Sequence, residues 1–319
     1  MRLTAHSIPG SFDCLHASLS NVIKLSAVMF AASATISLAA PSSTDAQGVV
    51  GIEAVSSKVT KDYVRVRLPD GSFQPEFYAF GKGGYWDGEI DDATIDKLTF
   101  LDVAHTIAKP LEDQKYIPAT DPNKTKLLIM VYWGTTIVPP PYEEDPLYYN
   151  YEQALSEYRL LLAERQPGEA DNVLSSGLHQ LDIENHRRDQ IDFRNAMMIG
   201  YDAGGLVGTD YGKYISHSAL GWDRRDQMDE IEDNRYFVVL MAYDFQLLWK
   251  HKKHKLLWET RFSINEKHNQ FDKALPAMVE YASKYFGQPS NGLKRNRLSE
   301  GHVEIGEPTV IEFLFGSKK

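Results

Sequence analysis

Asp182, Glu184 and His186 stand at i, i+2 and i+4. In an extended segment all three would share one face, where two carboxylates and an imidazole could hold a divalent metal or supply a general base for hydrolysis. On a helix only Asp182 and His186 would be neighbours, and Asn185, Arg187, Arg188 and Asp189 around them read as a solvated face. No second His or Cys spacing supports a metal. A metal-assisted hydrolase using these three residues is therefore the alternative reading rather than the leading one.

The second concentration of chemistry is basic. Lys250, His251, Lys252, Lys253, His254 and Lys255 lie between Trp249 and Trp258 on a chain of 319 residues with a formal net charge of −10. Lysines beside interfacial tryptophans suit contact with an anionic surface such as lipid headgroups or wall polymer, and the histidines add charge on mild acidification. A charged hairpin tip that discourages edge-to-edge strand pairing has the same composition. Tyr142, Tyr148, Tyr149 and Tyr151, beside Pro139-Pro140-Pro141, form an aromatic group that could line a ligand patch or a partner contact, or simply mark a linker next to an amphipathic helix. Gly200, Gly204 and Gly208, with Ala196 one step earlier, make a small-residue ridge suited to close packing. The stretch before them reads as helix, which argues against a phosphate-cradling loop. There is no G-x-S-x-G, H-E-x-x-H or Walker motif. A nucleophile with its base can assemble without a motif, so catalysis is disfavoured rather than excluded, and no cofactor is indicated.

The front end speaks to location. Lys24 precedes an uncharged, mostly apolar run over 25–40, and small and polar residues follow to Gln47. That is the layout of a cleaved export signal, since the run is shorter than the ~20 residues that a membrane-spanning helix needs. Cleavage after Ala39 or Ala46 fits the small residues there. Removal of 1–46 takes Arg2, Lys24, Asp13 and Asp45, leaving the charge at −10, and takes Cys14, the sole cysteine. The mature chain then has neither disulfide nor thiolate chemistry and no transmembrane helix, and is periplasmic or secreted. Its acidic balance opposes general nucleic-acid binding, which needs a basic face.

The elements that would position these groups alternate in type. A hairpin is expected over 59–80 around Pro69-Asp70-Gly71, broken by Gly81, Gly83 and Gly84. Asp91 and Asp92 suit the cap of a helix with Ile95, Leu98, Leu101, Ala104, Ala108 and Leu111 on its apolar side, kinked or ended at Pro110. A buried strand follows over 127–133. After the prolines, a helix from Asn150 carries Tyr151, Ala154, Leu155, Tyr158, Leu161 and Leu162 and stops at Pro167-Gly168. Further helices are expected over about 188–206 and 222–232. Strand character returns over 236–248 and 256–264 as a hairpin around the basic tip. A helix capped by Asp272, with Leu275, Met278, Val279, Ala282, Tyr285 and Phe286 inward, stops at Gly287. Lys294, Arg295 and Arg297 form a basic tail before a last strand over 309–315.

The fold expected is α+β over 47–319, one sheet covered by helices, with a helical insertion over about 139–235 between a β-α-β part and a β-hairpin-helix part. This order, carried by 77–81, 127–134, 237–244 and Lys255-Leu256-Leu257-Trp258, resembles small exported bacterial cell-envelope domains of unknown function, which are often lipid-anchored. The resemblance implies a compartment and a fold, not a reaction. This chain departs from it in the insertion of about a hundred residues and in Cys14, which precedes the apolar run instead of ending it. The reading that follows is a non-catalytic exported protein that binds an anionic envelope surface or a protein partner.

Overall fold

A computed structural model describes residues 49–88, 91–207 and 219–298. The expected leader, Gly208 and the expected strand over 309–315 lie outside them. The architecture is α+β, built on one seven-stranded mixed sheet in the order β3-β2-β4-β5-β6-β1-β7. The strands are β1 (Gly51–Val59), β2 (Glu76–Trp86), β3 (Tyr116–Pro118), β4 (Leu127–Thr135), β5 (Arg235–Asp244), β6 (Leu256–Asn265) and β7 (Lys294–Leu298). β2 runs parallel to both β3 and β4, and the remaining pairs are antiparallel.

The central strands β4, β5 and β6 are buried on both faces, and alternation decides which residue goes where. Ile129, Val131 and Trp133 of β4 and Tyr236, Val238 and Leu240 of β5 face one layer. That layer is α1 (Ala93–Asp96), α2 (Phe100–Asp113) and α8 (Phe271–Ser283), which contribute Ile95, Val103, Ile107, Leu111, Leu275, Met278 and Val279. Met130, Tyr132, Phe237, Val239 and Met241 face the other layer, where Ala196 and Ile199 end the long helix described below.

The helical insertion is present between β4 and β5. It holds α3 (Pro146–Ala163), α4 (Pro167–Ile199), α5 (Ala203–Leu206) and α6 (Ala219–Ile231). Only the last turns of α4 reach the sheet. Its first half pairs with α3 as a two-helix hairpin, with Gly177 against Ala154, and α3 has no buried residue.

Several expected boundaries move, each for a local reason. The hairpin over 59–80 is reduced to one bridge, Arg67 to Phe73, because β2 finds its partner in β4 instead. β2 also runs on through Gly81, Gly83 and Gly84. A Cβ at Gly81 would collide with Met130 Sδ and one at Gly83 would meet the Tyr132 ring at 2.7 Å, so these glycines admit side chains from the neighbouring strand. The first helix splits at Thr99, whose side chain and that of Asp102 form a reciprocal capping box, and this turns Leu101 outward. Pro110 lies inside α2 without ending it. Asp145 rather than Asn150 caps α3, and Pro167, read as a stop, occupies the first turn of α4, where a missing donor costs little. Gln270 rather than Asp272 precedes α8. Gly200 closes α4 in the left-handed region at φ 85° and meets Ser56 of β1, so it is a cap and a packing point instead of part of a helical ridge. The basic tail is strand β7, and β5 ends at Asp244 where a short helix begins.

Candidate surface-binding site

That short helix, α7 (Phe245–His251), replaces a plain hairpin turn between β5 and β6. The Asp244 carboxylate accepts from Leu247 N at 2.9 Å to start it, and Lys252 ends it in the left-handed region at φ 56°. It is fastened to the loop before β4. Phe245 N donates to Lys126 O at 2.9 Å, and Gln246 Nε2 donates to Pro122 O and Thr125 O at 2.7 Å each. Phe245 and Trp249 stack at 6.1 Å. Lys250, His251, Lys252, Lys253 and His254 are thereby exposed on a fixed platform, with Trp249 half-buried among them. Lys255 is half-buried and pairs with Asp62 at 3.1 Å, and His254 sits edge-on to Tyr243 at 6.4 Å. Trp258 is not part of this surface. It is 0% exposed and packs on Phe286 and Tyr116, because alternation along β6 points it into the core.

Topology adds lysines that sequence reading missed. β1 ends here, with Val59 opposite Trp258, and β4 begins here, with Leu127 opposite Asp244. Exposed Lys58 lies in the last two residues of β1, exposed Lys61 follows it, and exposed Lys124 and Lys126 precede β4, so four more cations reach the end of the sheet that carries the tip. Of the acids at this end, Asp62 is engaged by Lys255, Asp121 by Asn123, Asp244 by the α7 cap, Glu76 by the Tyr63 hydroxyl and Asp113 by Lys109, and Glu112 is exposed.

The opposite end of the sheet is acidic. β5 has ten residues, so at ~3.4 Å per residue its two ends are roughly 30 Å apart. There Asp87 and Asp91 are exposed, and Asp92 caps α1 and accepts from the Tyr236 hydroxyl. A depression of about 230 Å³ is lined by Ile52, Asp226, Asp229, Glu230, Asp233, Asn265 and Arg297. Beneath it buried Glu230 takes Arg295 at 2.9 Å and the Tyr201 hydroxyl, and stands 3.7 Å from fully buried Arg235. Arg235 in turn donates to Ser263 Oγ and Ile52 O, which joins β5 to β6 and β1. Burial, with Asp92 and Asp233 nearby, raises the Glu266 carboxyl above its usual range.

The remaining sequence candidates lie on the helical hairpin. Asp182, Glu184 and His186 are on α4, where they do not share a face. Asp182 and His186 are exposed and adjacent, and the Asp182 carbonyl and carboxylate raise the imidazole's affinity for a proton. Glu184 is fully buried between Arg187 at 2.7 Å and Arg188 at 2.6 Å. Arg187 also reaches Asp145, the α3 cap, at 3.1 Å, and Arg188 donates to Pro140 O at 2.6 Å. Glu184 thus fastens the hairpin's base to the proline segment. Among the described residues no three His, Cys, Asp or Glu side chains are grouped to hold a metal ion. Tyr148 and Tyr151 pack at 6.1 Å on the α3 surface and Tyr149 is 59% exposed. The side chain of Tyr142 lies outside what is described.

No family model and no curated protein matches this chain. A solved PDZ domain protein from Parabacteroides distasonis is similar over 77% of this chain, with a TM-score of 0.32 and 10% identity. This chain spans only 39% of that protein. A likeness so distant carries no argument about function.

Proposed function

We propose that this is a non-catalytic binding protein whose basic end docks on an anionic surface of the cell envelope. The observation that carries the reading is the convergence of Lys250, Lys252, Lys253, Lys58, Lys61, Lys124 and Lys126, drawn from three distant segments, on one end of an acidic chain. A lysine near an anionic surface contributes up to ~1 kcal/mol, and the attraction decays over a Debye length of ~8 Å at physiological salt. The acidic end, roughly 30 Å away by the strand rise, is then well screened from the same surface and orients the molecule with its tip inward. The leader-like residues before Gln47 support an exported location for this encounter. Several such charges recruit a protein reversibly without anchoring it. Among the described residues no helix is long and apolar enough to cross a membrane.

Co-sedimentation with anionic vesicles and with isolated wall polymer tests the reading. A variant with Lys250, Lys252, Lys253 and Lys255 changed to Gln is expected to lose most binding to both. Equal binding by variant and wild type would reduce the tip to a solvated turn.

A further inference from the structure

The segment that leaves β1 beside these lysines shows a second property. Val64 is 78% exposed, Val66 56% and Leu68 38%, three aliphatic side chains at alternating positions. Their backbone is held in place from behind. Tyr63 and Arg65, the inward residues, are 8% and 7% exposed. The Arg65 guanidinium lies 4.0 Å over the Phe73 ring and 4.1 Å over Tyr116, and donates to Gln114 O at 2.6 Å. Gln74 N donates to Val66 O and Leu68 N to Ser72 O, each at 2.8 Å. Isolated exposed aliphatics are ordinary on a soluble surface, but a braced, alternating run of three is a directed apolar ridge.

Its position matters most. The segment begins where Thr60 N bonds Leu257 O and Lys255 bonds Asp62, and it ends where Glu76 N bonds Lys115 O, at the start of β2. Both anchor points belong to the basic end of the sheet. Strand addition by a partner is discouraged, since Arg67 and Pro69 on the same run are residues that guard an open edge. A polyanionic wall polymer offers these side chains no apolar phase. A bilayer does, within ~5–10 Å of its headgroups, and there half-buried Trp249 beside lysines is also well placed.

We propose that the anionic surface is a lipid bilayer, with Val64, Val66 and Leu68 entering its headgroup layer while the lysines meet the phosphates. This inference rests on the docking reading above. The two separate cleanly in one experiment, in which binding is measured to vesicles of phosphatidylcholine with phosphatidylglycerol and, in parallel, to heparin as a soluble polyanion without an apolar phase. A variant carrying Val64→Ser, Val66→Ser and Leu68→Ser changes only exposed side chains, and an unchanged circular dichroism spectrum and melting temperature confirm its fold. It is expected to bind heparin like the wild type but vesicles roughly tenfold more weakly. The Lys-to-Gln variant is expected to lose both. If the serine variant kept full vesicle affinity while the lysine variant lost it, docking would stand and insertion would fall. Loss of heparin binding by the serine variant would also overturn insertion, and vesicle binding untouched in both variants would overturn docking itself.

Discussion

Asp192 offers the sharpest quantitative test of the structure. It lies on α4, 6% exposed, and its Oδ1 accepts no hydrogen bond among the described residues. Burial, then the neighbouring carboxylates Glu232 and Asp189, push its pKa up from 3.8 to about 7, with Arg188 opposing them. Between those two values the folded protein holds a proton that the unfolded chain has released, so stability falls as pH rises, by ~1.4 kcal/mol per unit. Over about three units the loss approaches ~4 kcal/mol, an upper limit, and it is complete above the folded pKa. Asp192→Asn keeps the shape and cannot ionise. In thermal melts the variant should match the wild type near about pH 4 and exceed it near about pH 8, where ~2–4 °C per kcal/mol gives roughly 8–16 °C at most. A difference independent of pH, or a variant less stable than wild type at the higher pH, would refute the placement of this carboxyl as buried and unpartnered.

Three other substitutions probe separate parts of the account. Glu184→Ala leaves Arg187 and Arg188 without their buried partner and should cost about 3 kcal/mol in denaturant unfolding, less being expected from a solvated helix face. Gly83→Ala drives a Cβ to within 2.7 Å of the Tyr132 ring and should lower stability by ~1–3 kcal/mol. Trp258→Ala should cost ~3–5 kcal/mol, since the indole is core, whereas a surface contact would leave the melting temperature unchanged.

The parts of this fold that rest on local pattern were legible in the sequence. The apolar run over 127–133 gave β4, the Met278 stripe gave α8, and Asp92 is the α1 cap that turn chemistry suggests. Non-local pairing was not legible. Nothing near Phe77 shows that it pairs in parallel with β3 and lies beside β4, so the extended residues over 63–68 looked like its partner. Pro167 looked like a stop, yet it opens a helix, as Pro146 does, because a proline is tolerated in a first turn, where no backbone donor is needed. β1 went unread since Gly51, Glu53 and the pair Ser56-Ser57 resemble a loop, and its ladder is supplied by β6 and β7. The basic tip was visible as six consecutive residues, but Lys58, Lys61, Lys124 and Lys126 join it only through strand register. The alternating exposure of Val64, Val66 and Leu68 could have been found by asking which face Tyr63 and Arg65 must take.

In the proposed docking, lysines gathered at one end of the sheet bring this acidic protein to an anionic surface. The most direct measurement is the affinity of the intact protein for anionic vesicles across a salt series, with neutral vesicles as the reference. Binding should weaken steadily as salt shortens the Debye length from ~10 Å at 0.1 M towards ~3 Å at 1 M, with little binding to neutral vesicles at any salt. Binding that is indifferent to salt, or equal on neutral vesicles, would contradict it.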